Sequence, residues 1–548
     1  MKDTAKNRIL PLLLALALTL GALAGCGGQA EREQPPEELP DETYGTDTLP
    51  GEPQVISNVA DNRFALNFDP DAGTNPVRAN SATNMMFWSL LYDCVYAVDE
   101  NFNYSSDLVT DVRTDDFIWW VFDIRTDVCF SDGTPLTAHD VVYSILRGKQ
   151  SDYYRERLKV VYGISALDDG CFAITAGFAD SMLPARLNIP IIPKDTFFED
   201  YPVGSGPYRL NDAHSALVVN EYSRYADELP IETVYLRNYM DTSSKITAFE
   251  DARIDLVTND PTGRYNLGYG SSNERRYYDT TNMHYIGFNA ESMYFQSFRM
   301  RYALGLVIDR QGIVNDFMNG YGAPAALPVH PRVPLYDETL AATLGYRPDK
   351  AASLFEAAGV EDLDNDGDLE VLVTGIIVEL DIKFIVNTDS TAKVRAARRI
   401  CQKLNDMGIT TTLYELTWEN YIYALSEGDY DLYYGEIRMT PDWDLSPLFH
   451  IRESGKKEED PYLTTNLNYA NVTDRTYAEL YAAYLAAPEA ERAEAFGKVT
   501  SYIAETAIIL PICFERREVL THRGVVSGIE ATQYDAFYNF TDWTIDLT

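Results

Sequence analysis

The residue types that could do chemistry in this 548-residue chain are sparse, and most are spaced for something else. Histidines stand singly at 139, 214, 284, 330, 450 and 522. No HxH or HExxH pair places two imidazoles on one face, as a histidine metal site needs. Cys94, Cys129, Cys171, Cys401 and Cys513 are scattered, without a CxxC or a Cys/His cluster. One disulfide among the first three is compatible with an oxidising location, and buried free thiols are the expectation for most of them. Gly204-Ser205-Gly206-Pro207 reads as a turn rather than an activated serine. A nucleophile elbow and a phosphate-binding loop are both missing. Asp362-x-Asp364-x-Asp366-Gly367 imitates the opening of a calcium loop, but the closing acid belongs at position 373, which is Val373. A hairpin leading into a strand at 369–374 is the expectation there. No metal, cofactor or catalytic group is expected, and the chain reads as a non-enzyme.

Charge narrows the partners. Eighty-four acids against 45 Lys and Arg leave a formal net charge of −39, which repels nucleic-acid backbones and anionic lipid surfaces. Thirty-eight tyrosines offer flat faces with polar tips, suited to gripping a ligand without charge, although Tyr-rich strands explain part of the excess.

The N-terminus speaks to location. Lys2, Lys6 and Arg8 precede an uncharged run from Ile9 to Gly25, short for a membrane span but right for a signal peptide. It ends in Leu23-Ala24-Gly25-Cys26, which resembles a bacterial lipobox. That resemblance implies a signal peptide over 1–25 and a lipid-modified Cys26, hence an extracytoplasmic, membrane-tethered protein. Two acyl chains are what stable anchoring without a spanning helix requires. Residues 27–53 hold five prolines and eight acids and almost nothing apolar, so 26–54 reads as a disordered tether.

The elements that must position any site begin near Val55. Strand-like and helical patches alternate, which points to an α/β class. A strand pair is expected over 112–125. Thr137-Ala138-His139-Asp140 reads as a capping box before a helix with Val141, Val142, Ile145 and Leu146 on one face. Further helices are expected over 298–313, over 393–407 with Gly408 as its stop, and over 478–504 with a break near Pro488.

Several blocks, in order, resemble one family, the extracellular solute-binding proteins of family 5 that serve ABC importers of peptides and nickel. They include Asn67-Phe68-Asp69-Pro70, Leu91-Tyr92-Asp93 and the run from Phe130-Ser131-Asp132-Gly133 to Val142-Tyr143-Ser144. Gly204-Ser205-Gly206-Pro207-Tyr208, Ile254-Asp255-Leu256, Ile308-Asp309-Arg310 and Gly428-Asp429-Tyr430-Asp431-Leu432 continue the series. The blocks span nearly all of the chain after Val55. Most read as scaffold: Arg301 burying its stem and pairing its head, Asp309 capping or pairing locally.

The resemblance implies a two-lobed, periplasmic-binding-protein-like (type II) clamp with an extra subdomain in the N-terminal lobe. Lobe one would run over 55–284, with the subdomain at about 76–202, and return over 512–548. Lobe two would be 285–511, with crossing strands near 285–289 and 507–511. The ligand is expected in the interlobe cleft, against Asn67, Phe68, Asp69, Trp418, Tyr421 and the segment after the late strand. That segment supplies Tyr434, Gly435, Glu436, Ile437, Arg438, Met439, Asp442, Trp443 and Asp444.

Peptide-binding members often carry an aspartate there that pairs with the peptide's ammonium. Its place falls on Met439, which leaves Glu436, Asp442 or Asp444 to meet a positive end and Arg438 to meet a carboxylate. Core packing is the competing reading for Trp418 and its neighbouring tyrosines. Trp443, flanked by two acids, is expected to line the cleft. The implied partners are a peptide or another small solute and the importer's permease subunits, with the protein a monomer touching membrane only through its anchor. A sugar, a nickel complex or haem remains open as ligand, and a surface enzyme is a further alternative.

Overall fold

The computed structural model describes residues 62–262, 268–269, 273–373, 375–449 and 474–547. The expected signal peptide over 1–25, Cys26, the expected tether over 26–54 and His450 lie outside the described residues. No described helix is long and apolar enough to cross a membrane.

Apolar residues at alternate strand positions build two small sheets in the N-terminal half. Ala65–Asn67 pairs in parallel with Thr233–Arg237, which continues through Ala216–Val219 to Tyr208–Leu210. Phe64, Leu66, Tyr208, Leu217 and Val234 from this sheet are fully buried, and the C-terminal residues Phe537, Phe540 and Trp543 close over them. The last described residues therefore return to pack against the first described strand.

The second sheet is antiparallel, ordered Val109–Arg113, Trp119–Ile124, Cys171–Ala176, Val161–Asp168. Its buried Phe122, Phe172 and Ile174 face the helix Ala138–Gly148, whose Val141 and Ile145 are fully buried. Asp140 Oδ2 accepts from both the backbone N–H and the hydroxyl of Thr137, which fixes the helix start. This helix-covered sheet is the extra subdomain of the N-terminal lobe.

A seven-stranded mixed sheet organises the rest. Leu256–Asn259, Ile509–Thr521, Glu274–Phe288, Leu432–Arg438, Ile382–Asn387 and Thr411–Leu416 lie in that order, and Gly322–Pro324 pairs with Ile509–Thr521. Ile382–Asn387 and Thr411–Leu416 are parallel and joined by the helix Thr391–Asn405, which ends before Gly408 at φ +78°. Alternation sends Ile286, Phe288 and Leu432 into one core and Met283, Tyr285 and Tyr433 into another. Large rings are accommodated by opposing glycines: Tyr285 lies over Gly435 and Tyr433 over Gly287, where an added Cβ would come within 2.4 and 2.2 Å of ring carbons.

The expected helix over 298–313 is two helices, Phe298–Gly305 and Arg310–Phe317, because Asp309 caps the second through the Gly312 N–H at 3.0 Å. Arg301 buries its stem and donates to the carbonyls of Phe295 and Thr506. The C-terminal helices Arg475–Leu485 and Glu489–Thr506 break at Pro488. Cys94, Cys129, Cys171, Cys401 and Cys513 are all free thiols.

The two long strands Glu274–Phe288 and Ile509–Thr521 run from one lobe's core into the other's. Tyr278 and Val519 pack with the N-terminal lobe, whereas Met283 and Phe514 pack with the second. Between them lies a buried polar belt: Asp279, Thr280, Thr281, Asn282, Glu515 and Glu518. The ladder shifts register between Asp279 and Met283. The cores therefore change over a few residues away from the expected crossings at 285–289 and 507–511, where the apolar strand residues already belong to the second lobe's cores.

Candidate functional site

Beside that belt a cavity of about 590 Å³ opens between the first sheet and the crossing strands. Asn67 and Met86 line one side; Asn259, Asp260, Tyr278 and Arg517 line the other. Tyr278 and Arg517 are register partners on the two crossing strands. Arg517 stands 3.6 Å from Asp260, and its Nε is buried without a hydrogen-bond partner among the described residues.

Two further arginines converge nearby. Arg438 ends the strand Leu432–Arg438, donates to the Tyr153 hydroxyl at 3.1 Å and lies over the Tyr153 ring. Arg157 lies over the rings of Tyr153, Tyr154 and Tyr534, nearest Tyr534 at 5.3 Å. Trp88 holds the Tyr534 carbonyl at 3.2 Å and so sets the loop that carries this ring.

The electrostatics of the corner follow from this clustering. Burial pushes the Tyr153 phenol up, but the positive charges of Arg438, Arg157 and Arg517 outweigh it and hold the group below the usual tyrosine range. The Tyr278 phenol, where burial dominates, is pushed up to about 12. In a chain of net charge −39 this corner is cationic and aromatic. Guanidinium forks match planar anions such as carboxylates, and the tyrosine faces suit apolar or planar groups beside them.

The residues expected at the site are divided by the structure. Asn67 reaches the cavity, although both ends of its amide are taken by the backbone of Tyr239. Phe68 is buried against Phe87, and Asp69 accepts from the Asp71 N–H in its own turn. Tyr421 is buried and donates to the Tyr434 carbonyl; Tyr434 is buried with its hydroxyl 3.1 Å from His284 Nδ1. Ile437 and Met439 are buried, and Gly435 lies beneath Tyr285. Trp418 is exposed at the start of the helix Trp418–Glu427, tilted against Tyr421. Arg438 alone of its segment joins the cationic corner.

The acidic segment differs most from expectation. Glu436 is held by Lys393 and the Asn282 amide. Asp442 is fully buried, accepting from Arg186 and from the Tyr481 hydroxyl. Arg186 also donates to Asp180 at 2.6 Å. Burial works against the Arg186 charge, but Asp442 and Asp180 more than offset it and hold the guanidinium protonated. Burial also raises Asp180, with the Arg186 charge opposing it. Asp444 accepts from the Ser446 N–H at 2.7 Å, and burial together with Asp442 raises its carboxyl.

Trp443 corrects the expectation that it lines the cleft: it is 3% exposed, packed edge-on against Phe102 and Phe514. Its backbone is left-handed at φ +59°. These acids already have counter-charges or caps from the protein itself.

Sequence reasoning missed Tyr153, Arg157, Tyr278, Arg517 and Tyr534. One signal was available: Glu515-Arg516-Arg517-Glu518 interrupts an otherwise apolar strand, as Asp279-Thr280-Thr281-Asn282 interrupts its partner.

Residues 103–459 match the model of bacterial extracellular solute-binding proteins, family 5 Middle. The chain belongs to that family. It is 24% identical over 387 residues to the oligopeptide-binding protein AppA of Bacillus subtilis, covering 65% of this chain and 69% of that protein. The solved structure of that AppA with a nonapeptide superposes with a TM-score of 0.58 at 18% identity, over 88% of this chain and 99% of the other. NikZ of Campylobacter jejuni, solved in complex with Ni(L-His), superposes at 0.61 and 17% identity over 88% and 99%. These likenesses establish the two-lobed clamp. Members of the family are solute-binding proteins that work with ABC permeases outside the cytoplasm.

Proposed function

We propose that this family 5 protein captures a peptide in its interlobe cleft and delivers it, unaltered, to an ABC importer's permease. The ligand's carboxylate is held by Arg157, Arg438 and Arg517. The observation that carries this reading is the convergence of those three arginines with Tyr153, Tyr278 and Tyr534. It is supported by Met439, which is buried and uncharged at the position where the family resemblance puts the ammonium-pairing aspartate that peptide-binding members often carry. The ligand is therefore gripped by its negative end. Closure of a clamp over that end excludes water, and a charge-assisted hydrogen bond is then worth about 1.5–3 kcal/mol.

Native mass spectrometry of the purified protein identifies the ligand, and calorimetry on the variants measures the grip. Arg438→Gln and Arg517→Gln are each expected to weaken peptide binding about ten- to a hundredfold. Parent-like affinity in both would remove the arginines from the site. Recovery of a metal complex or haem instead of a peptide would replace the ligand class, and turnover of the bound solute would contradict delivery of an unaltered ligand.

The same reading takes the protein to be a monomer tethered by a lipid on Cys26, supported by the Leu23-Ala24-Gly25-Cys26 sequence and the acidic stretch behind it. Cys26→Ser is expected to abolish labelling by a radiolabelled fatty acid; undiminished labelling would refute the anchor.

A further inference from the structure

The turn between the strands Val360–Glu361 and Glu370–Val373 gathers four acids. Asp362, Asp364, Asp366 and Glu370 each offer a carboxylate oxygen, all within 4.8 Å of one another. Two oxygens on opposite sides of a calcium ion, at 2.3–2.6 Å each, stand about 5 Å apart, so one ion fits this group. The three aspartates are exposed, but Glu370 is 1% exposed. Its Oε2 accepts from the Leu363 N–H at 2.7 Å, while its Oε1 is buried and accepts from nothing. A buried carboxylate oxygen without a donor is costly to keep unless a cation meets it. None of the four acids forms an ion pair with a described residue. Glu370 is also the register partner of both Glu361 and Glu379, a row of like charges that opposes strand pairing.

The backbone is already shaped for an ion. Asp362 Oδ1 accepts from the N–H groups of Asn365 and Asp366, and Asp366 Oδ1 accepts from Asp368. Asn365 and Gly367 are left-handed, at φ +67° and +104°, which curls the loop around its acids. The base is fixed by the Leu369 N–H to the Gly408 carbonyl at 2.7 Å. A helix-flanked calcium loop takes its closing acid from position twelve, here Val373. Here the chain enters a strand at position nine instead, and Glu370 turns back under the loop.

We infer that Asp362, Asp364, Asp366 and Glu370 form a calcium site that closes the turn joining the strands Val360–Glu361 and Glu370–Val373. The site is separate from the ligand cleft. Calorimetric titration of chelator-treated full-length protein with calcium chloride tests it, paired with hydrogen exchange of amides 362–370. One ion is expected to bind with a Kd between about 10⁻⁵ and 10⁻³ M, from the weak end of sensor sites to extracellular modules, and to slow exchange across the loop. Magnesium, which demands a smaller octahedral shell, is expected to bind at least about tenfold more weakly.

Glu370→Gln and the exposed Asp364→Asn are each expected to weaken calcium binding at least tenfold. The second variant removes no buried group, so it reports on the site if the first misfolds. No heat up to about 10 mM calcium, above the weakest affinity of such modules, would overturn the inference. So would parent-like binding in Asp364→Asn, or equal affinity for magnesium.

Discussion

Two acidic turns in the second lobe, 442–444 and 362–370, look alike in composition and are built in opposite ways. Asp442 is fully buried and finds its counter-charge in Arg186, 256 residues earlier in the chain; the guanidinium and the Tyr481 hydroxyl both donate to one of its oxygens, Oδ2. The turn at 362–370 keeps four acids in water and buries one, with no cation supplied by the described protein. Carboxylate density therefore says little about binding in so acidic a chain. What discriminates is whether the fold brings its own cation.

Removing that cation should have the largest effect. Arg186→Met leaves Asp180 and Asp442 buried without their partner, and a broken buried pair typically costs about 3–5 kcal/mol. A large fall in the urea midpoint is expected. Arg186→Met combined with Asp180→Asn and Asp442→Asn should recover much of it, since the remaining groups no longer carry charge. Equal midpoints for the single and triple variants would break the comparison.

An intermediate case sharpens it. Asp535 has hydrogen bonds from Ser89 and the Phe537 N–H but no cation, and burial pushes its carboxyl up to about 6. Its folded pKa exceeds the unfolded value of about 3.9, so the folded state keeps the proton longer. The resulting penalty is absent below about pH 4, grows as pH rises, and is complete above about pH 6. Asp535→Asn, which keeps the accepting oxygen, should remove that slope and stabilise the protein at pH 7 by roughly 2 kcal/mol. Parallel stability–pH curves for parent and variant between pH 4 and 7 would refute this.

The smallest effect belongs to the other turn. In chelator, Asp364→Asn should change stability by less than about 0.5 kcal/mol, as exposed substitutions do, and by relieving repulsion it should stabilise rather than destabilise. A calcium-free loss of several kcal/mol would show that the exposed acids hold the native turn directly.

The difference between these turns also explains how far the sequence could be read. Local patterns carried over well: the Thr137–Asp140 cap, the helix ended by Gly408 and the Pro488 break are each set by neighbours in the chain. So did the ordered motif series, which reflects a whole-chain fold. Trp443 did not, because its burial depends on Arg186 neutralising the adjacent Asp442 and on Phe102 arriving from the other lobe. The cationic corner was hidden for the same reason. Tyr153, Arg438 and Arg517 meet only once the two crossing strands and the subdomain are assembled. Glu370 was within reach, but the twelve-residue spacing assumes a following helix, and a strand follows here.

Trp443 also gives the molecule an optical gauge of its own state. Its indole is dry, with Phe102 on one edge and the crossing-strand residue Phe514 on another. Phe102 belongs to the N-terminal lobe and the indole to the second, so any separation of the lobes at this contact lets water reach the ring. Its emission then shifts to the red. The turn after the strand Leu432–Arg438 thus carries a fluorophore whose colour would follow any separation of the lobes at this contact, with no label attached.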